Sequence, residues 1–471
     1  MSFSDEDLLS SIAELSARLR ARTISAVELA EAALTRAERL GPRLRCVVTL
    51  TRERALAEAR AADAELAAGR SRGPLHGVPY GLKDLVDTKG IRTTFGAAPF
   101  AERVPDRDAT VVARLRDAGA VLVAKLAMIE LAGGLGYHEA GASLTGACRT
   151  PWDLERWAGG SSSGSAAAVA AGIVPFAIGS ETWGSITCPA AFCGVTGLRP
   201  TYGVVSRAGA MPLSWTMDKL GPLARSAEDC ALVLAAIAGE DPADATSLPP
   251  PRGLSEIGLG VARGLRVAVL PLPTKPKVSA EVQAVWGAAL ERLARAGLVL
   301  EPADLPAFPY DELASLFVEA EAASAFEPLI RSGRTRALAD RAHQRKGPGD
   351  YEPKASAVDL VRAQRLRGEV QRICSRLLDR FDLAVAPNLP WVAPRVDEPL
   401  DELFQAADPV GAAGNLAGLP AVAIPMGFAP PGRLPVSMQL VGRPFDEARL
   451  LSVAAVFQAT SGFHRQRPPV S

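Results

Sequence analysis

The sequence predicts an α/β fold: one large domain with a central, twisted, mixed sheet flanked by helices. From residue 75 onward, short apolar runs alternate with helical patterns and Gly-rich turns, which is the rhythm of strands joined by helices. The hydrophobic fraction of 48% is sufficient for a large buried core. No Pro-rich linker or internal repeat divides the 471 residues, so we expect a single domain over residues 1–471.

The chain begins with a helical part, about residues 1–70. Apolar residues recur there at spacings of three and four: Leu8, Ile12, Leu15 and Leu19. The SAVE sequence at 25–28 has the pattern of a capping box and opens a second predicted helix that runs to residue 40. A third helix is predicted over 51–68, where the chain is rich in Ala and Glu.

The catalytic core is expected at about residues 71–240, and the last part of the same sheet at about 380–471. Short apolar runs predict buried strands at 78–82, 121–124, 174–178, 265–270, 383–386, 421–425 and 436–441. Helices are predicted between strands at 108–118 and 165–171. For residues 305–355, called the variable region below, the sequence leaves two predictions open. The region forms a lid or pocket wall, or it is an ordinary surface excursion.

Composition limits the classes of partner. Lys plus Arg and Asp plus Glu both number 52, and a formal net charge of zero attracts neither nucleic acid nor an anionic membrane over long range. No apolar run reaches the roughly 18 residues of a membrane span, and residues 1–19 lack the apolar centre of a signal peptide. Six scattered cysteines without zinc spacing are typical of a reducing compartment. We therefore expect a cytoplasmic protein with a small-molecule substrate, no nucleic-acid or membrane partner, and a homodimer as an open option.

A Gly- and Ser-rich loop, GGSSSGS at 159–165, runs into an Ala-rich helix. Exposed N–H groups at such a helix start stabilise negative charge. The loop also contains G-x-S-x-G around Ser162, the pattern of a nucleophile elbow. That motif needs a strand directly before it and a histidine base, but residues 151–157 are polar and turn-like, and only His343 and His464 follow. The elbow interpretation is therefore disfavoured.

A second motif, GSETWGSITCP at 179–189, follows the predicted strand at 174–178. Gly- and Ser-rich turns at strand ends are where α/β enzymes place their chemistry. Ser185 follows a glycine, so a sharp turn can present its hydroxyl, and the N–H groups of 182–185 could form an oxyanion hole. Taken alone, a buried serine in such a turn is more often structural.

A third motif, GVPYGLKDLVD at 77–87, places Lys83 at the end of an apolar run. A lysine that enters a core is costly unless it is paired or neutral, and a neutral lysine can act as a base. Pairing with Asp84 or Asp87 is the plainer interpretation of this residue alone.

Together these three motifs resemble the amidase signature family over about residues 10–469, most strongly between 77 and 200. The family pattern is G-V/I-P-x-x-x-K-D, then G-G-S-S-G-G-S, then D-T-G-G-S-I-R-x-P-A-A-F-C-G. The segments DKLGPLAR at 218–225, LAGLPA at 416–421 and PVSMQLVGRP at 435–444 also resemble family segments. The resemblance implies a serine hydrolase that needs neither metal nor cofactor.

The resemblance also implies residue roles. Ser185 matches the nucleophile, Ser161 matches a relay serine on a cis peptide bond, and Lys83 matches the base. The oxyanion hole is expected from the backbone N–H groups of Thr182, Trp183, Gly184 and Ser185. Gly160, Ser162 and Glu181 are expected to support the loops.

Three positions depart from the family pattern. Glu181 stands in place of Asp, Trp183 in place of Gly, and Thr187 in place of Arg. The usual Asp/Arg pair therefore cannot form in the usual way. We expect Trp183 to brace the nucleophile loop by aromatic packing; placement in the substrate pocket is the alternative.

The main functional prediction is hydrolysis of a C–N bond in a small amide or carbamate, with esterase side activity. The Trp-bearing loop resembles that of some urethane-cleaving (urethanase) members. One alternative is the amidase subunit of a tRNA-dependent amidotransferase, which would release ammonia from glutamine. Another is a non-catalytic, amidase-like binding protein, which the joint presence of Lys83, Ser161 and Ser185 disfavours.

Overall fold

An eleven-stranded mixed sheet organises the chain and confirms the predicted α/β class. The computed structural model describes residues 5–257, 262–273, 277–400, 408, 410–429 and 433–470. The described strands are β1 (Val47–Leu50), β2 (Pro79–Lys83), β3 (Val121–Leu126), β4 (Arg149–Thr150), β5 (Asp153–Trp157), β6 (Phe176–Glu181), β7 (Thr196–Arg199), β8 (Lys219–Ala224), β9 (Arg266–Val269), β10 (Val299–Pro302), β11 (Leu383–Pro387), β12 (Ala421–Ala429) and β13 (Leu434–Val441). The sheet order is β1-β3-β2-β6-β8-β7-β12-β13-β11-β9-β10, and β4 pairs with β5 separately.

Strand direction divides the sheet into regions. β3, β2 and β6 are parallel on one side, and β11, β9 and β10 are parallel on the other. The strands between them pair antiparallel, as does the edge strand β1 with β3. Since β2 and β6 are parallel neighbours, with Leu82 opposite Ile178, their carboxyl ends lie at the same edge of the sheet.

Helices pack around this sheet. The described α-helices are α1 (Ile12–Arg20), α2 (Ala26–Leu44), α3 (Arg52–Ala67), α4 (Thr110–Asp117), α5 (Ser163–Ala170), α6 (Thr187–Cys193), α7 (Ala227–Ile237), α8 (Ala280–Arg295), α9 (Tyr310–Ala325), α10 (Glu327–Arg331), α11 (Arg341–Gln344), α12 (Ala357–Arg380), α13 (Gly411–Leu416) and α14 (Glu447–Ser461). The predicted capping box is confirmed: Ser25 accepts a bond from the N–H of Glu28, whose carboxylate returns to Ser25. None of the helices described above is both long and apolar enough to cross a membrane.

The apolar core joins the two ends of the chain. One cluster contains Leu15 of α1, Ile178 of β6, Met438 of β13 and Phe457 of α14. Burial of these residues together explains why the chain forms one unit, because the first helices have no separate core of their own.

Several strands were not predicted from the sequence. β8 has the sequence KLGPLA, and a proline usually argues against a central strand. Here Pro222 lies opposite Ile178, and Gly221 is required because a Cβ there would lie 2.1 Å from the carbonyl oxygen of Leu198. Residues 151–157, expected to be turn-like, include β5, whose partner β4 lies outside the central sheet.

The start of α5 rests directly on the backbone after β3. The N–H of Gly164 donates to the carbonyl of Ala127 at 2.8 Å, and a Cβ at Gly164 would lie 2.4 Å from the Ala127 nitrogen and 2.5 Å from the Cys46 oxygen. Any side chain at this position would therefore push α5 away from the sheet.

We predict that Gly164→Ala lowers the free energy of unfolding by about 1–3 kcal/mol or more, because backbone atoms must move to admit the methyl group. Gly287→Ala is the matched control: Gly287 lies within α8, and a Cβ there would meet no atom within 4 Å. That change should stabilise the protein by roughly 0.5–1 kcal/mol through helix propensity. Urea unfolding of both variants measures the two changes in the free energy of unfolding. Equal changes in the two variants would contradict the packing argument.

Candidate active site

Two parallel strands bring the first elements of the site together. Lys83 is the last residue of β2 and is fully buried, and β6 ends at Ser180 and Glu181. The carboxyl ends of neighbouring parallel strands are a common place for catalytic groups in α/β sheets.

The Gly/Ser loop places two serines on this lysine. Lys83 Nζ lies 2.7 Å from Ser161 Oγ and 2.9 Å from Ser162 Oγ. The Gly160–Ser161 peptide bond is cis, as the family resemblance implied. Ser162 contacts Lys83 and Ser180 rather than a histidine, which is inconsistent with a nucleophile elbow.

Lys83 has no carboxylate partner among the described residues, because other cations engage both neighbouring acids. Asp84 pairs with the buried amine of Lys125 at 3.2 Å. Asp87 binds Arg103 through two contacts of 2.7 Å. Burial lowers the pKa of Lys83 well below the usual lysine value, and the more distant carboxylates of Asp218 and Glu181 only partly oppose this. A neutral amine is therefore favoured, and the plainer interpretation as an ion pair is wrong.

The hydroxyls around Lys83 orient its lone pair. Ser162 donates its proton to the carbonyl of Ser180 at 3.0 Å, so it can only accept from Lys83. The Ser180 hydroxyl lies 2.9 Å from Nζ and can accept the second N–H of a neutral amine. With both N–H groups so used, the lone pair faces Ser161, the nearest of the three hydroxyls.

The turn after β6 carries Ser185 and a group of backbone donors. Gly184 has φ +83°, a conformation that favours glycine and allows the tight turn. In the described part of the chain, no acceptor engages the N–H groups of residues 182–185, and all four residues line one cavity. The turn is tied to the serine loop by the bond from Ser162 N–H to the Ser185 carbonyl, 3.2 Å. This arrangement suits stabilisation of an oxyanion.

The Ser185 hydroxyl opens to the cavity. Within the ranges that the structure describes it has no hydrogen-bond partner, and Ser185 is 9% exposed. The Ser185 and Ser161 hydroxyls are thus not hydrogen-bonded to each other in this structure, and bonds of this kind commonly tighten only in a substrate complex.

Glu181 braces the turn that carries Ser185. Its Oε1 accepts from Arg199 Nη1 at 2.9 Å, and its Oε2 accepts the N–H groups of Ile186 and Thr187 at 2.9 and 3.0 Å. Burial opposes ionisation, but Arg199 above all, with Lys219, outweighs it and lowers the pKa of Glu181 to about 2. The usual Asp/Arg pair is thus replaced by another acid–arginine pair, in which Arg199 of β7 supplies the cation.

Two residues behind this brace were missed in the sequence. Buried Lys219 donates to Asn415 Oδ1 at 2.6 Å, and Asn415 donates to Glu181 Oε1 at 3.3 Å. Burial, and next the charge of Arg199, lowers the pKa of Lys219 well below the usual value. The only signals were that Lys219 belongs to the family-like segment at 218–225 and that Asn415 directly precedes the one at 416–421, since the partners of both residues are distant in sequence.

The cavity at Ser185 has a volume of about 320 Å³ and a mainly aromatic and aliphatic wall. Its rings come from Tyr137, Trp157, Trp183 and Phe192. Trp183 thus lines the cavity, as the alternative placement requires, and it also packs against a buried apolar cluster; its role as a brace stays a prediction. Asp408 also lines this wall, and burial raises the pKa of that carboxyl to about 6.

The variable region contributes to the cavity, as the pocket-wall alternative requires. Val318 of α9 lines the cavity. Buried Glu130 accepts N–H bonds from residues 339 and 340 at 2.7 and 2.9 Å, and Asp340 accepts one from His138 at 2.6 Å. The region is therefore clamped to the loop that carries other wall residues; movement as a lid stays a prediction.

Comparisons with known proteins agree with this geometry. A family model described as Amidase matches residues 28–451. One subunit of the glutamyl-tRNA(Gln) amidotransferase of Moorella thermoacetica is 40% identical over 97% of this chain and 97% of its own length. The corresponding subunit of Carboxydothermus hydrogenoformans is 38% identical, covering 97% and 98%. The crystal structure of peptide amidase from Stenotrophomonas maltophilia has a TM-score of 0.85 at 33% identity and covers 99% of both chains.

These relatives correct one expectation. Charge balance predicted a protein without a nucleic-acid partner, but the two bacterial relatives are, by name, subunits of an amidotransferase of glutamyl-tRNA(Gln). Net charge was a poor guide because it describes the whole surface, whereas a subunit meets its partners through local contacts.

We predict that Ser180→Ala lowers kcat by about 10–100-fold with little change in KM, because Lys83 loses the acceptor that orients its lone pair. Ser180→Thr keeps the hydroxyl and should restore most of the rate. Ser452→Ala is the control, since Ser452 is also buried but bonds only a helix carbonyl. Steady-state kinetics of the three variants checks the role, and an unchanged kcat in Ser180→Ala would contradict it.

Proposed function

The chain belongs to the amidase family of C–N hydrolases, and from this premise we propose that it cleaves small, uncharged amides or carbamates through an acyl-enzyme on Ser185. The observation that carries the proposal is Lys83, a buried amine that contacts Ser161 rather than a carboxylate and lies beside a turn of unengaged N–H donors in the described chain. Activated esters would react at the same centre, since they need less help from the base.

The reaction has two halves: formation of the acyl-enzyme and its hydrolysis by water. Neutral Lys83 takes a proton from Ser161, which takes the proton of Ser185 as its Oγ attacks the carbonyl carbon. The N–H groups of 182–185 bind the oxyanion. The C–N bond then breaks, and the relay returns the proton to the leaving nitrogen. Water later attacks the acyl carbon, the bond to Ser185 Oγ breaks, and the water proton returns to Ser185 by the same relay.

The cavity wall supports an uncharged acyl group. Among its described lining residues no Lys or Arg is present, and Asp408 is the one carboxylate. An apolar or aromatic acyl group would bury its surface against the rings, whereas a carboxylate would lose hydration without a compensating cation. A carbamate is accepted on the same grounds, because it is neutral and its carbonyl is attacked in the same way.

A second function has support of its own: the ammonia-releasing subunit of a tRNA-dependent amidotransferase. The names of the bacterial relatives favour it over the first function. Asp408 could pair with the ammonium group of glutamine at the wall. The lining favours the first function, because a free amino acid also needs a cation for its carboxylate. Residues 401–407 and 409, next to Asp408, lie outside the described residues.

We predict that Lys83→Ala lowers kcat/KM for amides by about 10²–10⁴-fold, the usual contribution of a general base. Ester cleavage by the variant should partly recover at high pH, where hydroxide replaces the base. In the wild type, activity should rise as pH increases through the lowered pKa of Lys83, because only the neutral amine accepts a proton. Rate measurements from about pH 5 to about pH 10 on matched anilide and nitrophenyl ester substrates test this.

Ser185→Ala is the companion variant. It should abolish turnover of both substrates and labelling by a fluorophosphonate probe, while the thermal midpoint stays near that of the wild type. Equal losses on amide and ester at every pH in Lys83→Ala would argue against proton transfer by Lys83.

We predict that the kcat/KM for an anilide or carbamate with an aryl acyl group exceeds that for L-glutamine by about 10²-fold or more, because glutamine leaves an unpaired carboxylate at an apolar wall. Asp408→Asn should leave the anilide reaction within about twofold. Two results together would instead establish the second function. Ammonia would be released from glutamine at a rate that matches anilide hydrolysis, and Asp408→Asn would abolish the glutamine reaction while sparing the anilide reaction.

A further inference from the structure

A second, smaller cavity lies beside the cavity at Ser185. We call the cavity at Ser185 the substrate cavity and the smaller one the solvent cavity. Its volume is about 30 Å³, and one ordered water needs roughly 10–15 Å³. Ala132, Thr182 and Leu213 line both cavities, so a single layer of residues separates them.

The lining of the solvent cavity connects the surface with the base. Trp215, on its outer side, is 61% exposed, and the guanidinium of Arg207 lies 5.2 Å from the Trp215 ring centre. On its inner side lies Ser180, whose hydroxyl is 2.9 Å from Lys83 Nζ. Asp218 and Lys219 add polar atoms between them, which is the surrounding that a water molecule requires.

The three residues that line both cavities form a partition between them, and Asp218 holds this partition in place. Its Oδ1 accepts from the Thr182 hydroxyl at 2.5 Å, and its Oδ2 accepts the N–H groups of Leu213 and Ser214 at 2.8 and 3.0 Å. Two of the three shared wall residues are thus fixed by one carboxylate through side-chain and loop contacts. The partition is a hydrogen-bonded side-chain layer and contains no strand of the central sheet as described above.

We propose that the solvent cavity admits the water that hydrolyses the acyl-enzyme. The inference rests on the proposed function and follows from the aromatic wall: an acyl group that fills the substrate cavity excludes water from that side. A water beside Ser180 lies one hydroxyl away from Lys83. From there it must pass the partition to reach the acyl carbon, on whose side Ser161 takes its proton. Its oxygen bonds to the acyl carbon, the bond from that carbon to Ser185 Oγ breaks, and the proton passes to Ser185, so no further reactant is needed.

The test separates acylation from deacylation. Ala210 lines the solvent cavity and lies apart from Lys83, so Ala210→Leu fills the cavity without removing a catalytic group. With enzyme in excess over a p-nitrophenyl aryl ester, nitrophenolate release reports acylation, and intact mass reports decay of the adduct on Ser185. We expect deacylation to slow by about tenfold or more while acylation stays within about twofold. Met211→Phe, which fills the same cavity from another position, should act alike.

Ala208→Leu is the matched control, since Ala208 belongs to the same loop and does not line either cavity. It should leave both rate constants unchanged. Unchanged deacylation in both filling variants, with thermal midpoints near that of the wild type, would overturn the proposal, as would equal slowing of both steps. Nitrophenolate release at an unchanged rate in Ser185→Ala would refute the proposed function instead, and this inference with it.

Discussion

The site depends on one constraint: an amine at the centre of the protein must stay uncharged. A charged lysine at this buried position would need a counter-ion, and two acids, Asp84 and Asp87, lie within four residues of Lys83 in the sequence. Lys125 and Arg103 engage those acids, so the amine is left with serine hydroxyls. A hydroxyl network that accepts N–H groups costs little in desolvation and keeps the lone pair available. The uncharged state of this amine therefore depends on ion pairs in which it takes no part.

The positions of Lys83, Ser161 and Ser185 could be predicted because short motifs and a family resemblance encode them locally. The residues that support them could not. Glu181 and Arg199 are 18 positions apart, and Asn415 reaches Glu181 across 234 positions, so no local pattern records either contact. β8 was missed because Pro222 contradicts strand statistics, and the reason for Gly221 exists only in the packed sheet. The ion pair that braces the Ser185 turn was missed because its cation, Arg199, lies on another strand. The catalytic roles themselves stay predictions.

Fold relatives and site chemistry answer different questions here. The relatives by name work within a tRNA-dependent assembly, and the peptide amidase superposes over the whole chain. One fold therefore carries proteins whose names point to unlike substrates, and our proposed function takes its substrate class from the wall of the cavity. That wall takes residues from several distant segments, including Gly160, Ser185, Val318 and Asn388. Substrate preference can change through any of these segments while the centre stays fixed.

The order of strands also has a consequence for how the chain is made. β7, which carries Arg199, has β8 on one side and β12 on the other, and β12 begins only at Ala421. A growing chain that has released its first 400 or so residues from the ribosome still has an unpaired central strand, which is an aggregation hazard while it persists. The sheet closes only when its last hairpin, β12–β13, enters between β7 and β11. Arg199, the ion-pair partner of Glu181, therefore gains its second neighbouring strand only when this hairpin is in place.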